Sequence, residues 1–365
     1  VNVLDTWFSP EFTFELLRVT VLASVGMLLA SFAILGLHKR RMIHLVHERV
    51  RLLEQSIAGL ADVADGASDA LFPVTRFEQA AALAKAVDLW GATDVQQDQR
   101  VRRAVAATGI EQLLRHTLEY SKWSMRYRCV SAIHDLGWEP LFDTLLEHAG
   151  REPNLRVHGH CLYACASVLR TPEQFLRLYE ATEATEVSHP SLSEGFTESI
   201  FRTAIRKLVD AGVGQALNDT LDRCLQRLDS PCLEALVVSI GKTELGAMAA
   251  SVNVCARASR QATIVIAAMR ALHAMGQCDR LIIEELDADE KAVQITAIRC
   301  ATHCGGQIAD KLAELMGSHE FDVRYAAAMS LRALGQEGRR ILDDVAASDV
   351  DAYAREMAAF ALAME

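Results

Sequence analysis

The stretch Val323-Arg324-Tyr325-Ala326-Ala327-Ala328-Met329-Ser330-Leu331-Arg332-Ala333-Leu334-Gly335 has an earlier counterpart in Met125-Arg126-Tyr127-Arg128-Cys129-Val130-Ser131-Ala132-Ile133-His134-Asp135-Leu136-Gly137. Both read apolar-Arg-x-x-small-x-x-x-apolar-x-x-apolar-Gly. Positions four, eight and eleven after the first apolar residue place one stripe on one face of a helix. The small residue lets a neighbouring helix approach, and the closing Gly supplies the left-handed residue that ends the helix. The frame recurs, mostly without the Arg, at Ile200…Ala204…Leu208…Ala211-Gly212, at Ile264…Ala268…Leu272…Met275-Gly276 and at Val293…Ala297…Ala301…Cys304-Gly305. A looser copy ends Leu233…Val237…Ile240-Gly241, another starts Leu155-Arg156…Gly159, and the chain finishes on Ala354-Arg355…Ala358…Leu362.

The last clear frame glycines, Gly276, Gly305 and Gly335, are 29 and 30 residues apart. A second helix follows each frame, as in Gln307-Ile308-Ala309-Asp310-Lys311-Leu312-Ala313-Glu314-Leu315-Met316. Two helices per roughly 30 residues cannot bury their apolar faces alone, so they must stack into an all-α solenoid. The unit Asp322-Val323-Arg324…Ala327…Leu331…Leu334-Gly335 resembles a HEAT repeat of the short bacterial type. The resemblance spans about residues 95–365 in seven or eight copies. It implies a right-handed α-solenoid whose concave face holds other proteins. It names no activity, since related arrays serve as scaffolds, as bilin lyases and as DNA-repair glycosylases.

Upstream of the repeats, Leu16 to Leu37 runs 22 residues with one charge, Arg18, and then meets His38-Lys39-Arg40-Arg41. A helix of that length covers the roughly 30 Å hydrocarbon core of a bilayer. A secretory signal would place its basic residues ahead of a shorter apolar core. The first 17 residues hold no Lys or Arg, whereas Lys39, Arg40, Arg41, Arg49 and Arg51 follow the run. Positive charge stays inside, which predicts a single-pass inner-membrane protein, N-terminus outside and repeats cytoplasmic. The expected organisation is therefore an extracytoplasmic segment 1–15, a transmembrane helix 16–37, a basic juxtamembrane stalk 38–64, a hinge 65–74 and a repeat domain 75–365. In the stalk, Ile43, Val46, Val50, Leu53, Ile57 and Leu60 alternate three and four apart, an a/d seam of about two and a half heptads. Such a seam suits a homodimer, a partner helix leaving the membrane, or packing on the chain's own first repeat.

Of 37 Lys/Arg and 48 Asp/Glu, residues 1–51 hold six and four, which leaves 31 basic against 44 acidic residues and a net of −13 beyond them. That balance has no global attraction for phosphate backbones and argues against nucleic acid as a partner. The nine cysteines show no CxxC pair, which suits reduced thiols in the cytoplasm.

The tightest reactive cluster is His158, His160, Cys161 and Cys165, three of which share a helix face at zinc-ligand spacing. Gly159 takes the small-residue slot there, however, and Cys is a common core residue, so packing is the preferred reading. Cys300, His303 and Cys304 belong to another repeat core. Gly241-Lys242-Thr243 lacks the Gly five residues earlier and the preceding strand that a phosphate loop needs. Asp287, Asp289, Asp343 and Asp344 read as helix-start acids. No catalytic, metal or cofactor site is expected. Arg126, Arg156, Arg324 and Arg355 occupy matching slots and read as locks between repeats.

The aromatic and basic residues Trp123, Arg126, Tyr127, Arg128, Trp138 and Phe142 cluster in the first clear repeat and predict a partner-binding surface. Beside a bilayer, such a patch also suits anionic head groups. The expected function is a membrane-anchored scaffold or regulatory subunit, not an enzyme. Its expected partner is an integral membrane enzyme or transporter, and resemblance to anchored bacterial HEAT proteins suggests envelope or exopolysaccharide synthesis. Rival expectations are a lyase- or glycosylase-like enzyme with a concave-face pocket, and a structural protein self-associating through the stalk.

Overall fold

The computed structural model describes residues 10–90, 95–120, 122–188, 194–259, 261–348 and 351–364, and the secondary structure among them is entirely helical. The chain divides into two compact units, Val1–His116 and Thr117–Glu365. The division falls within a helix, not at the 65–74 segment.

In the first unit, α1 (Pro10–Ala64) is one continuous helix. It ends where the sequence places a break: Gly66 adopts φ 75° and the chain then runs without helix to residue 76. Helices α2 (Phe77–Trp90) and α3 (Val95–Ala107) pack on α1, with α4 (Ile110–Tyr120) following. Leu52, Ser56, Leu60 and Val63 form the face of α1 that is buried in this unit. Side chains of most α1 residues before Ile34 lie outside the described ones, and so does the whole of segment 1–9. Among the described residues no helix is long and apolar enough to cross a membrane.

The second unit is the repeat array. Its frame helices are α5 (Trp123–Leu136), α7 (Leu155–Val168), α9 (Glu194–Asp210), α11 (Leu233–Lys242), α13 (Ala262–Ala274), α15 (Lys291–Cys300), α17 (Phe321–Ala333) and α19 (Ala352–Ala363). Each packs on the next, so the eight form one layer. The intervening helices are α6 (Phe142–Ala149), α8 (Pro172–Ser188), α10 (Gly214–Leu225), α12 (Ala249–Ser259), α14 (Arg280–Glu284), α16 (Ala309–Leu315) and α18 (Gln336–Ala346). They form the second layer, with α6 on α8, α8 on α10, α10 on α12 and α16 on α18. This is the stacked-pair arrangement of an α-solenoid.

Gly137, Gly212, Gly276 and Gly335 have positive φ within two residues of the end of a frame helix, and Gly305 has positive φ at a kink inside the 3-10 segment after α15. Gly241 departs from the expectation. It lies inside α11, buried, and a Cβ there would sit 2.6 Å from the Ala271 Cα of α13. Its role is close helix approach, so the α11 copy does not end on its glycine. The Val293 copy also departs: its α-helix stops at Cys300 and continues as 3-10 turns, Ala301–Ile308.

The cysteines are not all reduced. Cys278 and Cys304 form a disulfide between neighbouring repeats, with Cα atoms 4.7 Å apart. The other seven are free and buried. Burial raises the thiol pKa of Cys161, Cys224 and Cys232 to about 12, which removes them from thiolate chemistry.

Candidate protein-binding groove

Helices α5 and α7 lie side by side and turn matching slots to the surface. On α5 these are Tyr127, Ser131 and His134, spaced four and three apart along one face. On α7 they are His160 and Tyr163. The rings interleave: Tyr127 stacks on His160 at 4.6 Å between centroids, and His134 stacks on Tyr163 at 5.3 Å. The Ser131 hydroxyl lies 2.9 Å from His160 Nε2. Burial, and next the neighbouring His134, hold the His160 imidazole below its usual pKa. His160 is thus disposed to stay uncharged between its stacked neighbours.

Beside this floor opens a groove of about 930 Å³ lined by Trp123, Ser124, Tyr127, Arg128, Leu155, Arg156, Gly159, His160 and Phe196. Its lining is mostly apolar and holds two cations and no carboxylate. Trp123 is 51% exposed, and Tyr127 and Leu155 are also exposed. Arg156, on the first turn of α7, has no ion-pair partner among the described residues. A Trp that leaves half its ring in water beside such a groove offers a large apolar anchor to a ligand.

The groove rests on a buried ion pair. Arg126 points away from it and donates to both Glu152 oxygens, Nε to Oε2 at 2.7 Å and Nη2 to Oε1 at 2.8 Å. Glu152 also accepts from the Asn154 backbone N–H at 3.0 Å and pairs with His148 Nε2 at 2.9 Å. Its side chain has no exposed surface. Burial alone would raise its pKa, but the hydrogen bonds from Arg126, Asn154 and His148 outweigh that and hold it at about 2. Asn154 in turn caps α7 by accepting from the Arg156 and Val157 N–H groups. One buried carboxylate therefore fixes the start of α7 against the end of α6, and with it one wall of the groove.

Of the six expected surface residues, Trp123, Tyr127 and Arg128 line the groove. Three are corrected. Arg126 is committed to Glu152; Phe142 is buried in the α6–α7 core with the Arg177 guanidinium 5.6 Å from its ring centroid; Trp138 is buried at the turn after α5. Both aromatics follow the closing Gly137, at the turn and at the start of α6, and sequence proximity to Trp123 does not show that these positions are core. The residues missed were Ser124, Leu155, Gly159, His160 and Phe196. His160 was legible in principle, because it lies one repeat after Tyr127–Ser131 on the same face. Phe196 follows an irregular stretch of the period and carried no such signal. Arg156 was read as a lock between repeats and instead stands on the groove.

The zinc-spaced cluster is occupied by packing. His158 Nδ1 meets the Ala149 carbonyl at 2.8 Å and Nε2 the Thr185 hydroxyl at 2.9 Å, while Cys161 and Cys165 are buried. Among the described residues no group of three His, Cys, Asp or Glu is placed to hold a metal ion. Lys242 pairs with Glu198 at 2.8 Å, and Asp287 with Lys311 at 2.8 Å.

A family model for HEAT repeats matches residues 280–363. These residues are helices α14 to α19, the copies whose glycine spacing is most regular. The C-terminal third of the array is therefore similar to HEAT repeats in sequence, and the preceding frame helices continue its packing. No curated protein matches the chain at a significant level.

Proposed function

We propose that this chain is a HEAT-type scaffold, anchored in a membrane by residues 16–37, that holds a protein partner in the groove between α5, α7 and α9. Its action is binding rather than catalysis. The observation that carries this reading is the half-exposed Trp123 beside Arg128 and Arg156, in a lining without a carboxylate, on a chain of net charge −11. A groove of this make-up suits an extended peptide segment that inserts an apolar or aromatic side chain and carries acidic residues beside it.

The anchor is supported by the apolar run, charged only at Arg18 near its start, by its basic flank at Lys39, Arg40 and Arg41, and by the continuous backbone of α1. On that helix Phe32, Ile34, Leu35 and Leu37 are each more than 60% exposed, which in water would be a costly stripe. The excess of Lys and Arg after the apolar run supports a cytoplasmic position for the repeats. Confinement at the bilayer raises the effective concentration of the groove toward a membrane-protein partner, an integral enzyme or transporter of the cell envelope.

The test is to purify the tagged full-length chain in mild detergent and identify co-purifying proteins. Trp123→Ala and Arg156→Glu are compared with wild type, and Val254→Asp, an exposed position on α12, serves as control. A stoichiometric membrane protein lost in the two groove variants and retained by the control supports the reading. Equal recovery by all four proteins contradicts it.

A further inference from the structure

The described part of α1 carries two apolar faces, and its own unit covers only one. Leu52, Ser56, Leu60 and Val63 are buried within the first unit, whereas Ile43, Val46, Val50 and Ile57 remain between 37% and 51% exposed and Leu53 is half-buried. The stalk therefore does not use its heptad seam to pack on the first repeat, except at Leu60. Four exposed branched aliphatic residues on one stripe of a helix call for a partner.

We infer that this stripe pairs with the same stripe of a second copy, as a short parallel two-stranded coiled coil. In the heptad register Ile43, Val50 and Ile57 are a positions and Val46 and Leu53 are d positions. The β-branched residues at all three a positions, with Leu53 at one of the two d positions, suit a pair of parallel strands. The flanking charges agree. Arg49 is a g position and Glu54 is the e position of the next heptad, five residues on, so each copy's Arg49 faces the other copy's Glu54 twice over the two-fold axis. Both are exposed and neither has an ion-pair partner among the described residues. A slip of one heptad sets Arg49 against Ala61 and Glu54 against Met42, and an antiparallel pairing sets Arg49 against Arg49. The in-register parallel dimer alone satisfies both charges. Two heptads are short for a free coiled coil, and confinement to a bilayer supplies the missing local concentration.

The experiment uses the full-length chain in mild-detergent micelles and in native membranes. The chain has no cysteine before Cys129, and the free thiols are buried, so single cysteines at Val50 (an a position) and Arg51 (a b position) report on this helix alone. Oxidation is expected to give a self-dimer at Val50→Cys and little at Arg51→Cys. Charge reversal sharpens the result: Arg49→Glu alone and Glu54→Arg alone should each weaken dimerisation about tenfold, and the double reversal should restore it. All these positions are exposed, and circular dichroism checks that the helices are retained. Equal cross-linking at positions 50 and 51, single reversals without effect, a monomer at every protein-to-detergent ratio, or a different protein captured at position 50 would each overturn the inference.

Discussion

Helices α5 and α17 are built from the same string of residue types, yet the second residue of the frame does different work in each. In α17, Arg324 donates Nη1 to the Ser318 and His319 carbonyls at 2.8 and 2.9 Å and lies over the Tyr353 ring at 4.8 Å. It ties the turn before its own helix to the next frame helix. In α5, Arg126 reaches instead to a buried carboxylate at the start of the next repeat. The aromatics differ likewise. At α17 and α19 Phe321, Tyr325 and Phe360 lean on one another, ring centroids 6.2 Å apart at each step. At α5 and α7 the rings stack flat along the surface and leave Trp123 standing beside a groove. One motif thus yields a mutually stacked but still exposed aromatic cluster at α17 and α19 and a groove with a free-standing Trp at α5 and α7, and the difference lies in what the neighbouring repeat supplies.

The ion pair gives the largest contrast. Removing Arg126 leaves the buried Glu152 carboxylate with only His148 and the Asn154 N–H, and Arg126→Ala should cost about 3–5 kcal/mol in urea unfolding. Arg324→Ala removes a buried guanidinium that holds two backbone carbonyls but strands no carboxylate, and should cost about 1.5–3 kcal/mol. Equal costs would erase the distinction.

The same pair sets a pH signature. The Glu152 pKa is depressed from 4.5 to about 2, so its contribution is fully present above the unfolded value. It is lost as pH falls from about 4.5 toward 2, because the unfolded state takes up the proton first. Stability measured across that window should fall more steeply for wild type than for Glu152→Gln. Parallel curves would show that the carboxylate is not held as described.

The closing glycines separate the two helices more finely. Gly137 has φ 60°, ψ 36°, the left-handed region that Asn also enters. Gly335 has φ 72°, ψ −134°, close to a region that belongs almost solely to Gly. Substitution by Asn should therefore be mild at position 137 and cost about 1–3 kcal/mol at position 335, read from thermal unfolding. The smallest effect on stability is expected at the groove itself, where Trp123→Ala should stay within about 0.5 kcal/mol of wild type.

The helical pairs, their stacking and four of the C-terminal caps were legible because period and glycine placement are local consequences of helix geometry. Gly241 was misread because a small residue in a helix looks alike whether it ends the helix or admits a neighbour, and only Ala271 across the gap decides. Half of the groove was legible. Trp123 and Tyr127 stand out by type, but Trp138 and Phe142 share their composition and lie in the core, since burial depends on the angle between α5 and α6. Arg126 and Arg156 looked equivalent until the buried Glu152 claimed one of them. The Cys278–Cys304 disulfide joins residues 26 apart with no spacing signature. Counting reactive thiols in native membranes before and after reduction checks it against the proposed cytoplasmic orientation. A bridge closed in the cell favours an oxidising compartment, and an open one agrees with the orientation.

The central claim is that the α5–α7–α9 groove is where this scaffold holds its partner. A photoreactive phenylalanine analogue placed at Trp123 in the full-length chain, in intact membranes, tests it most directly, with the same analogue at Val254 as the comparison. The account predicts one discrete heavier adduct from position 123, abolished by Arg156→Glu, and none from position 254. No adduct at 123, or equal adducts at both positions, would contradict it.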